Sequence, residues 1–265
     1  MLHVYHTGRK ETQGEPLLLI HALGAYGGIW EPVLPLLESR HEVLVPDLPG
    51  FGKSPPLPNG VAPDVHGLAD ALEVTMNQAG LSTAHVAGHS LGGLLALELG
   101  RRGRARTVCA ISPAGKGQLW EYAYALLVVG LLRFGARGLY RLMPVLTRSA
   151  ALRMLMFWLV ASRPWRMDPE LATALAHAYA DAEAFYKTLL AVDWRHAGEG
   201  FADIACPVVI GWGSRDRLLL PRQGPPYAKA IPGARLVRLR GLGHAPMTDD
   251  PLEVADLILR TTQLA

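Results

Sequence analysis

Short apolar runs recur along the chain, each closed by glycine, proline or a polar residue. Leu17–Ile20 stops at His21 and Gly24; Val43–Val45, Ala84–Ala87, Thr107–Ile111, Pro207–Gly211 and Arg235–Leu239 are read in the same way. A strand covered on both faces shows no polar alternation, so runs of this kind between turn residues predict strands inside a sheet. Leu2–His6 reads as an edge strand. Helical spacing fills the intervals at Ile29–Ser39, Asp64–Ala79, Leu91–Arg102 and Pro251–Thr262, with Pro251 suited to a first turn and Asp250 to its N-cap. Strand and helix in alternation imply a mostly parallel sheet with helices on both faces.

The alternation stops between about residues 115 and 200. No strand pattern is visible there; Leu, Ala, Met, Arg and aromatics dominate, broken at Gly135, Gly138, Pro144, Pro164 and Pro169. This reads as several helices inserted into the α/β core: residues 1–115 and 200–265 form the core, and 116–199 a helical cap, since active-site-side connections carry additions most easily.

Composition narrows the class. The chain has 265 residues, half of them apolar and 18% charged, ample for a buried core. A net charge of +3, without finger spacing, an aromatic RNP-like run or a basic tail, gives no reason to expect nucleic acid. Cys109 and Cys206 lie beside strand-like runs and read as buried thiols in a reducing compartment. No basic-then-apolar leader opens the sequence, and the longest apolar run, Tyr122–Leu132, is too short to span a bilayer, so the expectation is a soluble cytoplasmic protein, monomer or homodimer.

The chemistry concentrates in three loops. Ala84–Ala87 runs into Gly88-His89-Ser90-Leu91-Gly92-Gly93, and a helix follows. A strand-to-helix turn this tight throws its apical side chain outward and requires small residues two before and two after, which Gly88 and Gly92 supply. Ser90 would sit where free N–H groups favour an oxyanion. A serine alone is a poor nucleophile; it needs a base, and the base an orienting acid. Val208-Val209-Ile210 leads to Gly213-Ser214-Arg215-Asp216, and Arg235–Leu239 to Gly241-Leu242-Gly243-His244-Ala245-Pro246. Asp216 and His244 therefore become the acid and base; the rival acids Asp193 and Asp203 precede the strand and would reach the opposite edge of the sheet. An N–H from His21-Ala22-Leu23-Gly24, with Leu23 the choice, would pair with that of Leu91 as an oxyanion hole.

These segments resemble the lid-bearing α/β-hydrolases, the serine esterase and C–C hydrolase branch. His21–Gly24 is similar to the family's His-Gly-x-Gly turn, Asp47-Leu48-Pro49-Gly50-Phe51-Gly52-Lys53-Ser54 to its Asp-x-Pro-Gly-x-Gly-x-Ser loop, and Gly88–Gly93 to its nucleophile elbow. The order Ser, Asp, His is also the family's. The resemblance implies a mostly parallel, eight-stranded-type sheet with a helical cap, and a reaction that needs neither metal nor cofactor. Ala22 departs from the usual glycine, which would matter if that position required positive φ.

Ser90 in place of aspartate argues against haloalkane dehalogenase and epoxide hydrolase chemistry, and Ala245-Pro246 after the histidine looks more like esterases than ring-fission hydrolases. Hydrolysis of a hydrophobic small-molecule ester is the favoured reaction. Two alternatives remain: C–C cleavage of a β-diketone, and a non-catalytic ligand-binding protein on the same scaffold. His89, Met247, Trp120, Met154, Phe157 and Trp158 are the candidate substrate-binding residues. From Lys116 to Arg166 eight bases face one acid, with Arg133, Arg137 and Arg141 at helical stripe spacing; from Asp168 to Glu199 six acids face two bases.

Overall fold

The computed structural model describes residues 1–7, 14–193 and 199–265. Among the described residues seven strands form one sheet: β1 (Val4–Thr7), β2 (Pro16–Ile20), β3 (Glu42–Pro46), β4 (Ala84–His89), β5 (Ala105–Ile111), β6 (Val208–Gly213) and β7 (Arg235–Leu239). Their order is β1-β3-β2-β4-β5-β6-β7, so the described residues hold seven strands of the eight-stranded-type sheet expected. β1 runs antiparallel to β3 and every other pair is parallel.

The pleat divides the strand residues between two cores. Leu18, Ile20, Leu44, Val86 and Val108 pack with α2 (Val65–Gln78) and α3 (Leu91–Arg101). Leu17, Leu19, Val43, Val45 and Ala87 pack on the other face with α1 (Leu34–Leu37) and α11 (Pro251–Thr262). Burial on both faces is why these strands read as continuous apolar runs. Cys109 lies in the second core, where burial pushes its thiol up to about 12; Cys206 is partly exposed, and both are free.

Helix ends follow their caps. Asp64 Oδ1 accepts from Gly67 N–H at 2.8 Å and Asp250 Oδ1 from Glu253 N–H at 3.2 Å. Two elements differ from expectation. Ile29–Ser39 is not one helix: a short 3₁₀ turn, Gly27–Trp30, gives way to α1 because Pro32 has no N–H with which to continue the ladder, and Pro35 sits in the first turn of α1. β7 closes the sheet as an edge, so only Leu239 of its five residues is buried.

Between β5 and β6 the described residues hold no strand. They form α4 (Leu119–Gly138), α5 (Met143–Leu146), α6 (Ala150–Phe157), α7 (Pro169–Asp181) and α8 (Phe185–Ala191); α9 (Gly224–Ala230) and α10 (Pro246–Asp249) belong to the later loops. Arg133 does not share an exposed stripe with Arg137 and Arg141. It is buried and donates to the carbonyls of Tyr179 and Ala182, stitching α4 to the end of α7. Arg153 does the same for the carbonyls of Thr147 and Trp165. Arg195, one of the two bases counted in the acidic stretch, lies outside the described residues.

Two glycine substitutions should move stability in opposite directions. A Cβ on Gly92 would sit 2.2 Å from the backbone oxygen of Ile20, whereas one on Gly130 in α4 meets nothing within 4 Å. Gly92→Ala is expected to cost about 2 kcal/mol or more. Gly130→Ala is expected to stabilise by roughly 0.5–1 kcal/mol through helix propensity. Thermal melts of the two variants check both signs.

Candidate active site

β4 ends at His89 and α3 begins at Leu91, leaving Ser90 as the whole turn, at φ 57° and ψ −114°. A non-glycine residue held there is strained. What holds it is backbone: Ser90 N–H donates to Ile111 O at 2.9 Å, and Ser90 O accepts from Leu94 N–H at 3.1 Å and Ala114 N–H at 3.2 Å. The glycines on either side are obligatory by contact. A Cβ on Gly88 would lie 2.0 Å from Gly92 O, and one on Gly92 would strike the oxygens of Ile20 and His21.

Asp216 and His244 arrive on adjacent loops, after β6 and β7. Those loops touch at Gly213, where a Cβ would fall 2.1 Å from Gly243 O. Asp216 is buried; its Oδ1 accepts from the N–H groups of Leu218 (3.0 Å) and Leu219 (2.8 Å), and its Oδ2 lies 2.8 Å from His244 Nδ1. One carboxylate oxygen is thus held by the backbone while the other orients the imidazole, whose Nε2 is left for another partner. Ser90 and His244 both line one cavity. No hydrogen bond joins the Ser90 hydroxyl to the His244 ring among the described residues. Such contacts commonly tighten only when substrate is bound.

The β2 turn lies against this pair. Ala22 keeps a negative φ, and the positive φ of the turn falls on Gly24 (76°), so the departure at Ala22 carries no strain. Leu23 N–H donates to no acceptor among the described residues, and Leu91, first in α3, has no intrahelical acceptor for its own. His21 anchors the turn: its Nε2 accepts from Leu48 N–H at 2.8 Å, so its Nδ1 carries the proton that goes to Ala22 O, also at 2.8 Å. The Asp47–Ser54 loop is tied down in turn by Asp47, whose carboxylate accepts from Gly27 N–H at 2.7 Å and Lys53 N–H at 2.9 Å.

The cavity, of about 430 Å³, opens at the carboxyl ends of the parallel strands, where ligands bind in sheets of this kind. Leu23, His89, Ser90, Leu91, His244 and Phe157 line it. Four expected substrate contacts do not. Met247, on α10, is fully buried in the core with the apolar side of α11. Trp120 is half exposed under the Arg222 guanidinium, Trp158 is exposed under that of Arg217, and Met154 faces outward on α6. The walls instead come from the apolar side of α4, with Val128, Val129 and Leu132, and from Tyr179 and Leu218.

One residue escaped the sequence reading altogether. The buried Asp249 carboxylate accepts from Gly243 N–H at 2.7 Å, Ser162 N–H at 2.9 Å and Arg163 N–H at 2.6 Å. It joins the loop carrying His244 to the chain after α6, beside the Ala245 N–H to Val160 O bond of 2.7 Å. The doublet Asp249-Asp250 before Pro251 was its signal, but only Asp250 acts as the cap.

His21 and His89 are both held below the ordinary imidazole pKa, His89 well below it. Burial is the main cause for each, and the nearby His244 adds to it for His89. The geometry agrees: His89 Nε2–H donates to His244 O at 2.7 Å and its buried Nδ1 has no partner to receive a proton's bond. Below about pH 6.5 the unfolded chain takes up protons that the folded chain refuses, at up to about 1.4 kcal/mol per pH unit for each histidine. Stability should fall between pH 6.5 and 5, above the carboxylate range. Thermal melts at pH 7.5 and 5 are expected to differ by roughly 5 °C, with a smaller difference in His89→Gln. Superimposable melts would refute the assignment.

The comparisons agree with this geometry at the level of family. The alpha/beta hydrolase family matches residues 17–257. Epoxide hydrolase EphH of Mycobacterium tuberculosis is 31% identical over 72% of this chain and 91% of its own. A pimeloyl-[acyl-carrier protein] methyl ester esterase of Aromatoleum aromaticum is 31% identical over 91% of this chain and 96% of its own. Among solved structures, a bacterial membrane phospholipase A superposes with a TM-score of 0.76 over 100% of this chain and 87% of its own; at 23% identity it speaks to the fold alone. The chain belongs to the alpha/beta hydrolase family and is a hydrolase of that fold.

Proposed function

We propose that the protein is a serine hydrolase cleaving carboxylic esters of hydrophobic small molecules, with Ser90 as nucleophile, His244 as base and Asp216 as the residue that orients it. The observation that carries this reading is the buried 2.8 Å contact between Asp216 Oδ2 and His244 Nδ1, on the same cavity as a serine in strained backbone geometry. With Nδ1–H donated to Asp216, Nε2 is the free base.

Ser90 Oγ attacks the ester carbonyl as His244 Nε2 takes its proton. The tetrahedral oxyanion is received by the N–H groups of Leu23 and Leu91, worth roughly 10²–10³ in rate each. His244 then gives the proton to the departing alcohol, leaving an acyl-enzyme. Water loses a proton to His244, attacks the acyl carbon, and the carboxylic acid leaves as Ser90 regains its hydrogen. Residues 116–199 act as the lid, and the largely apolar wall favours a hydrophobic acyl or alkyl group.

The other readings draw less support. Cleavage of a dienolic β-diketone would bring an enolate charge into the cavity, and neither Arg nor Lys is among the lining residues described to favour it. Epoxide opening through an alkyl ester needs a carboxylate where Ser90 stands.

A panel of p-nitrophenyl esters tests the proposal. Wild-type protein should turn over these esters, with kcat/KM rising with acyl length until the cavity is filled. Ser90→Ala should lose about 10⁴-fold or more, and Asp216→Asn about 10⁴-fold with the fold intact. A fluorophosphonate should label Ser90. Labelling elsewhere, or full activity in Ser90→Ala, would end the assignment.

A further inference from the structure

We propose that the outer face of α4, with the arginines around it, docks on an anionic lipid surface, and that lipophilic substrate enters the cavity from that side. The docking stands by itself; the entry of substrate rests on the hydrolase reading above.

The exposed side of α4 is apolar where a solvated helix would be charged. Leu127, Leu131 and Phe134 form one stripe at i, i+4 and i+7, exposed by 62%, 60% and 78%. By length and composition α4 is the one candidate membrane span among the described residues. Its inner side, however, buries Glu121, Val128, Arg133 and Ala136 against protein. It therefore lies along the molecule with one apolar face uncovered, the disposition of a helix that rests in a membrane surface.

The same face leads into the site. Leu131 belongs to the stripe and lines the cavity, as do Leu126 and Leu139, each 39% exposed. The rim of the cavity along α4 is thus leucine open to the surroundings. Water has little to offer such a rim; hydrocarbon covers it and delivers an apolar ligand through it.

Charge selects the occupant. From Tyr122 to Met167 there are seven arginines and no carboxylate. Arg133 and Arg153 are buried, and Arg163 pairs with Asp250. Arg137, Arg141, Arg148 and Arg166 are exposed, and no ion pair holds any of them among the described residues. The nearby carboxylate of Asp181 is engaged by the Tyr140 hydroxyl. A second copy of this chain on a two-fold axis would set this cationic patch against itself. An anionic bilayer meets both the cations and the leucines, and exposed Trp158 and Trp165 are of the kind that settles at headgroup level.

The experiment is co-sedimentation of the full chain with phosphatidylcholine vesicles, with and without phosphatidylglycerol. Wild-type protein should bind the phosphatidylglycerol vesicles, less so as salt rises. Leu127→Glu/Phe134→Glu should partition about tenfold more weakly or worse. Arg137→Glu/Arg141→Glu should lose the preference for phosphatidylglycerol; melting curves confirm that both variants fold. Wild-type protein left in the supernatant, or variants that bind as it does, would overturn the docking. So would light scattering that finds a dimer which Leu127→Glu/Phe134→Glu converts to monomer. Turnover of a dissolved short-chain ester by wild-type protein is read separately: its absence beside intact vesicle binding sinks the hydrolase reading and leaves the docking standing.

Discussion

The site depends on one steric constraint, the passage of three backbone segments within contact distance of one another at the end of β4. Gly88 lies against Gly92, and Gly92 against the last carbonyls of β2. No side chain fits there, so the chain must leave the sheet and enter α3 within a single residue. That residue, Ser90, accepts a backbone conformation it would not choose, and hydrogen bonds from β5 and from Ala114 hold it. The strain and the proposed nucleophile have one origin: the turn that forces φ positive also lifts the hydroxyl out of the sheet and bares the Leu91 N–H. Because Gly92 also touches the end of β2, the Leu23 turn is registered against the same point.

The second half of the site is assembled by an equivalent contact. Gly213 and Gly243 let the loops after β6 and β7 touch, and the Asp216–His244 bond crosses that junction. Neutral histidines surround it. His89 donates Nε2–H to the His244 carbonyl, and His21 holds the turn after β2 by donating Nδ1–H to Ala22 O while its Nε2 accepts from Leu48 N–H, an acceptor role that only the neutral ring can fill. A second proton on His21 would remove the bond from Leu48 N–H, and one on His89 would leave a charged, buried Nδ1–H with no acceptor. Desolvation keeps them neutral, so the burial that gives the site its rigidity also separates structural histidines from the proposed base.

Features that depend on local pattern were legible in the sequence. The strands that carry Ser90 and Asp216, the glycines that frame them and the Asp250 cap all follow from residues adjacent in the chain. Features that depend on which way a helix faces were not. Trp120, Met154 and Trp158 suggested a pocket by composition, yet they sit on outer surfaces, because hydrophobic periodicity cannot tell a face turned to a cavity from one turned to solvent when both are apolar. Met247 illustrates the converse: three residues from His244, it sits in the first turn of α10 and faces the core. Arg133 belongs to a stripe on paper and to a buried carbonyl cluster in the fold.

Asp249 ties these observations together. Its carboxylate accepts N–H groups from the loop after β7 and from the chain after α6, so the loop that holds His244 and the helices that wall the cavity share one anchor. The helices between β5 and β6 are therefore not an appendage hung from two linkers. Arg133 and Arg153 brace them internally, Asp249 and the Ala245–Val160 bond fix them to the loop after β7, and Tyr124 reaches the carbonyl of Arg217, next to Asp216, at 2.8 Å. With polar groups spent on these inward attachments, the outward surface of α4 is left to leucine and phenylalanine. Between Tyr122 and Met167, where no carboxylate occurs, Arg133 and Arg153 are spent on buried carbonyls, Arg163 on Asp250, and the other four arginines are left exposed beside the apolar stripe. A surface of that composition fits the lipid docking proposed above better than bulk water.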